Sequence, residues 1–376
     1  MSNMRYIRNT ASRRPVPDTR AELITSLMKL IQQCPPTNPW PKNPKGIFSG
    51  PTSIAYLFLR LSRTHPNLRI SNRSAKGWCE AYLDCGSNQL TTPAGLTGWG
   101  VMNEYLSFHA VRAAAFHDDD SLGCLEHVIL QSYTCPDADN DYLYGRAGAL
   151  ALLHLVQMWR SDARERMQAC IDPLIEALLR AIPWNFRGKA YTGAAHGVIG
   201  ILTQIVSCRP SLGRHPQIEN ILAEQLDLQT DDGHWPSKMG PRMRPGDLVQ
   251  FCHGSPGFIL SLPYIRPTVR ESLQQRIDVA IERGRKEIWE KGLLRKEPNL
   301  CHGIVGNMLA LGDWVQREHF MAYATASEIA QNLRSGRYIA GDDPFGLFWG
   351  EAGRAWGWAM LDARVDLGFP VYSDRL

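Results

Sequence analysis

Two dipeptides carry the strongest chemical signal in the chain, Cys252-His253 and Cys301-His302, each followed by glycine and set 49 positions apart. Thiolate sulfur and imidazole nitrogen gathered in one place suit zinc, which takes four protein ligands in a closed structural site and three plus an open position in a catalytic one. The spacing is not that of a zinc finger. A lone cysteine reads as a small buried hydrophobe, the role assigned to Cys34, Cys79, Cys124, Cys170 and Cys208. Two Cys-His pairs in register favour a metal instead. His196, in Tyr191-Thr-Gly-Ala-Ala-His196-Gly197, stands where the other two units place His253 and His302, and is a candidate general acid or base. Asp141 is either a carboxylate that orients His196 or an acidic residue at a helix start. Arg146 offers a fork for carboxylate or phosphate, or is a surface charge. Lys296, in Leu294-Arg-Lys-Glu-Pro298, is close in sequence to Cys301 and compatible with an anionic substrate, or is solvent-facing. Asp118-Asp119-Asp120 and Asp137-Ala-Asp139 read as solvated loops and not as magnesium carboxylates.

These residues belong to a repeat. Paired glycines recur at 50 (paired with Ser53), 98, 145, 197, 254, 303 and 350, at intervals of 48, 47, 52, 57, 49 and 47, a period typical of repeat architectures. An apolar stretch of helical length follows most of them, such as Ala149-Leu-Ala-Leu-Leu-His-Leu-Val and Ile201-Leu-Thr-Gln-Ile-Val, and suits a buried helix. Amphipathic segments lie between, with Leu23, Ile24, Leu27, Leu30 and Ile31 at three- and four-residue spacing. Each unit therefore reads as an outer helix, a loop and an inner helix. The fold class is all-α, with seven helical hairpins that either stack as an open solenoid or close into a ring. Two glycines three residues apart share one face of the first helical turn, where missing side chains let neighbouring helix starts approach. Such starts present free N–H groups and a positive dipole end to anions and thiolates.

Composition narrows the partners. The 376 residues are 44% hydrophobic and 21% charged, which excludes a disordered chain, and a net charge of +4 argues against nucleic acid or a membrane surface as the main partner. No run of 18 apolar residues predicts a membrane span. Nine cysteines, an odd set without a CxxC pair or a secretory signal, predict reduced thiols in the cytoplasm. Residues 1–20, with Arg5, Arg8, Arg13, Arg14 and Arg20, read as a flexible basic arm, and residues 21–376 as one repeat domain.

Together the units resemble those of the lanthionine synthetase C-like family, in its eukaryotic form. The matching strings are Leu143-Tyr-Gly-Arg-Ala-Gly148, Gly193-Ala-Ala-His-Gly197, Cys252-His-Gly-Ser-Pro-Gly257, Leu300-Cys-His-Gly303 with Gly306-Asn307, and Asp343-Pro-Phe-Gly-Leu-Phe348 with Gly350. The resemblance implies a seven-fold α/α toroid with one zinc ion held by Cys252, Cys301 and His302. It also implies addition of a thiol, from glutathione or a peptide cysteine, to dehydroalanine or dehydrobutyrine residues left where phosphorylated Ser or Thr has lost phosphate. By position His196 would be the acid/base residue, Asp141 its acidic neighbour, and Lys296 a contact for glutathione; Arg146 and Lys296 are candidate phosphate contacts. Phe251 replaces the family's usual Trp, Trp349 stands where relatives carry an acid, and Leu96-Thr-Gly98-Trp-Gly100 matches poorly. Rival readings are a zinc- and glutathione-binding adaptor without turnover, a cyclase using an intramolecular thiol on a peptide or small biosynthetic intermediate, and a prenyl transferase or terpene cyclase on a similar toroid.

Overall fold

A helix that is apolar on every face must be covered on every face, and the stretches behind the glycine pairs are of this kind: in Val198–Cys208 every residue from 198 to 206 is buried. The computed structural model describes residues 4–10, 13–16, 18–37, 43–87, 90, 98–240, 248–341 and 343–374. Among them, fifteen helices run in chain order. They are α1 (Thr19–Gln33), α2 (Pro51–Thr64), α3 (Ala75–Ser87), α4 (Glu104–Phe116), α5 (Asp119–Thr134), α6 (Arg146–Trp159), α7 (Arg164–Arg180) and α8 (Val198–Cys208). The remainder are α9 (Pro216–Asp227), α10 (Ser255–Ile265), α11 (Glu271–Lys291), α12 (Ile304–Ala310), α13 (Trp314–Met321), α14 (Ala326–Arg334) and α15 (Glu351–Ala363). Helices α2, α4, α6, α8, α10, α12 and α15 each pack on the next, and α15 packs back on α2. The ring is closed, so the fold is an α/α toroid and not an open solenoid.

The outer helices are amphipathic; α11 buries Leu273, Ile277, Ala280, Gly284 and Ile288, together with Glu287, and leaves most of its charged residues outside. Their pairing differs from the outer-then-inner hairpin expected from sequence. The closest partners are an inner helix and the outer helix that follows it, as in α2 with α3 and α6 with α7, while α1 covers α15. Short turns join inner to outer helices at one end; the longer loops into the inner helices meet at the other. The last outer layer is split between α13 and α14.

Those longer loops form a girdle. Backbone N–H groups three or four residues before each inner helix donate to the adjoining loop around the whole ring: Ile47 to Val101, Val101 to Tyr142, Tyr142 to Ala195, Ala195 to Cys252, Cys252 to Cys301, Cys301 to Phe348 and Phe348 to Phe48. Glycine is needed where most of these loops turn into their helices. A Cβ on Gly306 would lie 1.8 Å from the Leu300 carbonyl oxygen, and one on Gly148 would lie 2.1 Å from that of Tyr142. The close approach expected between neighbouring helix starts is thus mainly an approach of each helix to its own incoming loop. The second unit departs from the pattern. Gly98 and Gly100 precede α4, whose cap is Asn103, its side chain accepting from Leu106 N–H at 2.9 Å. Leu96 and Thr97 lie outside the described residues.

Below the girdle the ring is filled by the C-terminal segment, which the repeat pattern gave no reason to expect. Phe369 stacks on Phe251 with ring centroids 3.6 Å apart, and Tyr372 bonds Ser261 through its hydroxyl at 2.5 Å. Trp356 donates to the Gly368 carbonyl at 3.0 Å, and buried Asp374 accepts from the Tyr56 hydroxyl. The segment read as a solvated basic arm runs along the outside: Tyr6 pairs antiparallel with Leu294, Arg295 N–H donates to the Arg5 carbonyl at 2.9 Å, and Arg14 pairs with Glu328.

Candidate active site

The girdle explains how cysteines 49 positions apart in sequence come together: each precedes an inner helix in neighbouring units, and Cys252 N–H donates to the Cys301 carbonyl at 3.3 Å. The two loops are also stapled from below by Asn307, fully buried on α12, whose side-chain amide donates to the Val249 carbonyl at 2.9 Å and the Gly292 carbonyl at 2.8 Å. Asn299 holds His302 through its backbone N–H at 2.9 Å. One ligand atom from each of Cys252, Cys301 and His302 lies within 4.8 Å of the others, and both cysteines are buried. The two adjacent thiols are pushed in opposite directions. Cys252 is held well below the ordinary thiol range, first by the Cys301 thiol and then, against burial, by His302. Cys301 is pushed well above it, first by Cys252 and then by burial, with Trp349 and Lys296 opposing. Gln250 donates to the Cys252 sulfur at 2.9 Å. Two buried thiols and an adjacent, partly exposed imidazole are a donor set that fits zinc with one position left for a further ligand. His253, the other histidine of the sequence motif, is not part of this cluster.

Beside the cluster stands a histidine–carboxylate pair. His196 Nδ1 and Asp141 Oδ2 are 2.7 Å apart, with the carboxylate 1% exposed and the imidazole 19%. Asp141 also accepts from the backbone N–H groups of Leu143 at 3.2 Å and Tyr144 at 3.3 Å. The carboxylate therefore shapes its own turn and orients the imidazole at once; it caps no helix, because α6 begins at Arg146 behind Gly145 and has no side-chain cap. The His196 ring is stacked on Phe186 at 4.2 Å and lies 6.0 Å from the near-parallel Tyr144 ring. It sits 6.2 Å from the His253 ring, which joins it to the cysteine loop. Gly193 makes this closeness possible, since a Cβ there would lie 2.5 Å from the Cys252 carbonyl oxygen.

Of the two basic candidates, one faces this centre. The charge of Lys296 acts on Cys301, whereas its neighbour Arg295 points away to the Arg337 carbonyl at 3.1 Å. Arg146 is not at the centre and is not a surface charge. Its buried guanidinium donates to the carbonyls of Ser132, Cys135 and Ala138 and to the Asn140 side chain. All of its donors are spent on holding the loop after α5, which leaves none for a substrate. Sequence reasoning also passed over Gln250, the aromatic wall of Tyr144, Phe186 and Tyr191, and Lys45, whose ammonium lies 4.6 Å above the Trp349 ring. That ring is 6.2 Å from His302, so Trp349 belongs to the centre. Its tryptophan at a position read as acidic in relatives was the available signal.

The model of the family described as lanthionine synthetase C-like protein matches residues 41–372. The chain belongs to that family. Among individual relatives of this LanC-like chain, it is 27% identical over 258 residues to a Danio rerio protein named glutathione S-transferase LANCL1, covering 62% of each chain. It is 28% identical over 261 residues to the LanC-like protein GCL1 of Arabidopsis thaliana, covering 62% of this chain and 57% of that one. The LanC-like chain thus spans about three-fifths of the length of the curated relatives it matches. Among solved structures, nisin cyclase superposes with a TM-score of 0.59 over 92% of this chain and 95% of that chain, at 14% identity, which shows the shared toroid. No helix among the described residues is long and apolar enough to cross a membrane.

Proposed function

We propose that this LanC-like protein catalyses zinc-dependent addition of a thiol to dehydroalanine or dehydrobutyrine residues, with glutathione or a peptide cysteine as the thiol, in a reducing cytoplasmic setting. The observation that carries the reading is the placing of a Cys2His donor set, its two cysteines buried, beside a His–Asp pair. Zinc bound by Cys252, Cys301 and His302 would supply the acidity that turns a thiol, ordinarily near pKa 8.5, into a thiolate at neutral pH. The chain's own groups do the rest. His196, oriented through Nδ1 by Asp141, leaves Nε2 to take the thiol proton and return it to the substrate α-carbon. A sulfur–carbon bond forms at the β-carbon, the π electron pair moves to the α-carbon, and that carbon takes the proton, so nothing leaves. Phe186 covers one face of the imidazole, and Lys296, whose charge acts on Cys301, would take an anionic group on the thiol partner. The family and the zebrafish relative's name support thiol chemistry.

The test is mass spectrometry of a dehydrobutyrine peptide incubated with zinc-loaded protein, with and without glutathione. A thioether adduct is expected, and Cys301→Ala should lose both zinc and adduct. Intact zinc with no adduct across several dehydrated peptides overturns the enzyme reading in favour of a binding scaffold.

A further inference from the structure

The wall around His196 carries two cations that the thiol-addition reading leaves unused. Phe186 and Lys189 close a two-residue hairpin through reciprocal backbone bonds of 3.0 Å, with Arg187 and Gly188 at positive φ of 48° and 71°. This tight turn presses Phe186 onto His196 and sets the Arg187 guanidinium 5.0 Å over the Phe186 ring and 5.7 Å over that of Tyr144. From the neighbouring loop, Lys238 pairs with Tyr191 across an antiparallel bridge and holds its ammonium 5.1 Å over the Tyr191 ring. Both cations are exposed, and neither donates a hydrogen bond or forms an ion pair within the described residues. The acid whose charge meets Arg187 is Asp139, half-buried beside Asp141. A second acid of the centre, Glu297, is engaged by Arg354 at 3.0 Å and by the Gly341 N–H at 3.0 Å. Each cation is therefore one ring removed from the imidazole, held by cation–π contact with its N–H donors turned to solvent.

We propose that Arg187 and Lys238 form an anion-binding lip on the His196 side of the centre, which takes a carboxylate or phosphate group carried by the electrophilic substrate near its reacting residue. The inference rests on the thiol-addition reading and adds a substrate class to it. It also divides the mouth: Lys45 and Lys296 lie toward the cysteines, where the thiol enters, and Arg187 and Lys238 toward the acid/base pair, where the electrophile lies. An extended chain advances about 3.3 to 3.4 Å per residue, so an acidic side chain two or three positions from the dehydro residue reaches a group one ring beyond His196. A peptide electrophile with flanking acidic or phosphorylated residues meets this requirement.

The experiment compares dehydroalanine peptides bearing glutamate, phosphoserine, glutamine or lysine two positions from the reacting residue, at fixed glutathione. Wild-type protein is set beside Arg187→Gln, Lys238→Gln and the double variant. Binding of matched peptides with alanine in place of dehydroalanine is read in parallel by fluorescence anisotropy at low and high salt. The expected result is a preference of about tenfold in kcat/KM and in binding for the anionic peptides over glutamine, reduced by salt. That preference should disappear in the double variant while its zinc content stays at one per chain. Glutamate against phosphoserine decides which anion is the better fit. Equal use of all peptides, or a preference that survives in the double variant, overturns the lip. Charge-dependent binding that is lost in the double variant, in a protein that makes no adduct with any peptide, keeps the lip and removes the thiol-addition reading.

Discussion

His196 and Asp141 meet across 55 positions of sequence at 2.7 Å, with the carboxylate buried and the imidazole open on one side. A general acid or base so held is worth about 10²- to 10⁴-fold in rate. His196→Ala should therefore keep its zinc by elemental analysis and lose turnover on that scale. Turnover that survives would assign the proton transfer to another group. Asn307 acts at one remove from the metal by joining the Val249 and Gly292 carbonyls, one from each cysteine-bearing loop. Asn307→Leu removes the amide bond to the Val249 carbonyl and leaves the Gly292 carbonyl only its bond from Leu294 N–H, and the loosened loops should lower zinc affinity by about 10- to 100-fold in a chelator competition. An unchanged affinity would mean that the girdle alone sets the cysteine spacing.

At the scale of the elements, the loop-to-helix turns and the C-terminal segment do the positioning. A methyl group on Gly306 meets a carbonyl at 1.8 Å, whereas one on Gly123, within α5, meets nothing within 4 Å. Gly306→Ala should displace the Cys301 turn, lowering both the melting temperature and zinc retention. Gly123→Ala should raise stability by about 0.5 to 1 kcal/mol, as removal of a helical glycine does. Phe369 lies against Phe251, the residue before Cys252. Phe369→Ala should cost about 3 to 5 kcal/mol by chemical denaturation, the range for a buried phenylalanine. A smaller loss would show that the segment fills the ring without supporting it.

The whole molecule depends on the junction where its two ends meet. Helix α1 covers α15, and buried Glu351 collects the closing contacts: Ser26 at 2.8 Å, Lys29 at 2.7 Å and Arg354 at 2.6 Å. Burial would raise the Glu351 carboxyl, yet Arg354 and then Lys29 hold it down to about 2, below the ordinary 4.5. A depressed carboxyl contributes stability that is complete above its ordinary value and is lost as pH falls toward the folded one. The protein should thus lose about 3 kcal/mol at this site between about pH 4.5 and 2, by denaturation at stepped pH. Glu351→Gln should flatten that limb. Glu104 and Asp374 run the other way, since burial pushes them up to about 7 and about 6. Their contribution is complete in acid and is lost as pH rises through those values, so the two limbs are separable by variant.

Much of this was legible beforehand because it is local or periodic. A 50-residue recurrence of paired glycines before apolar stretches requires inner helices with tight starts, and Cys252, Cys301 and His302 stand at matching offsets within that period. What the pattern could not contain are contacts between chain segments whose separation follows no repeat. Ring closure, the covering of α15 by α1 and the filling of the ring by residues 365–374 are decided by which apolar surfaces remain unburied once seven units have packed. The same holds for single side chains. Arg146 follows a motif glycine yet spends its guanidinium on the end of α5 and the loop after it, whose carbonyls converge on its fork. Arg187 and Lys238 belong to no motif, yet the turns they sit on bring them beside His196. Residue type and period determined which chemistry the chain carries; the three-dimensional path of the loops decided which charges attend it, because electrostatic reach depends on distance in space and not along the chain.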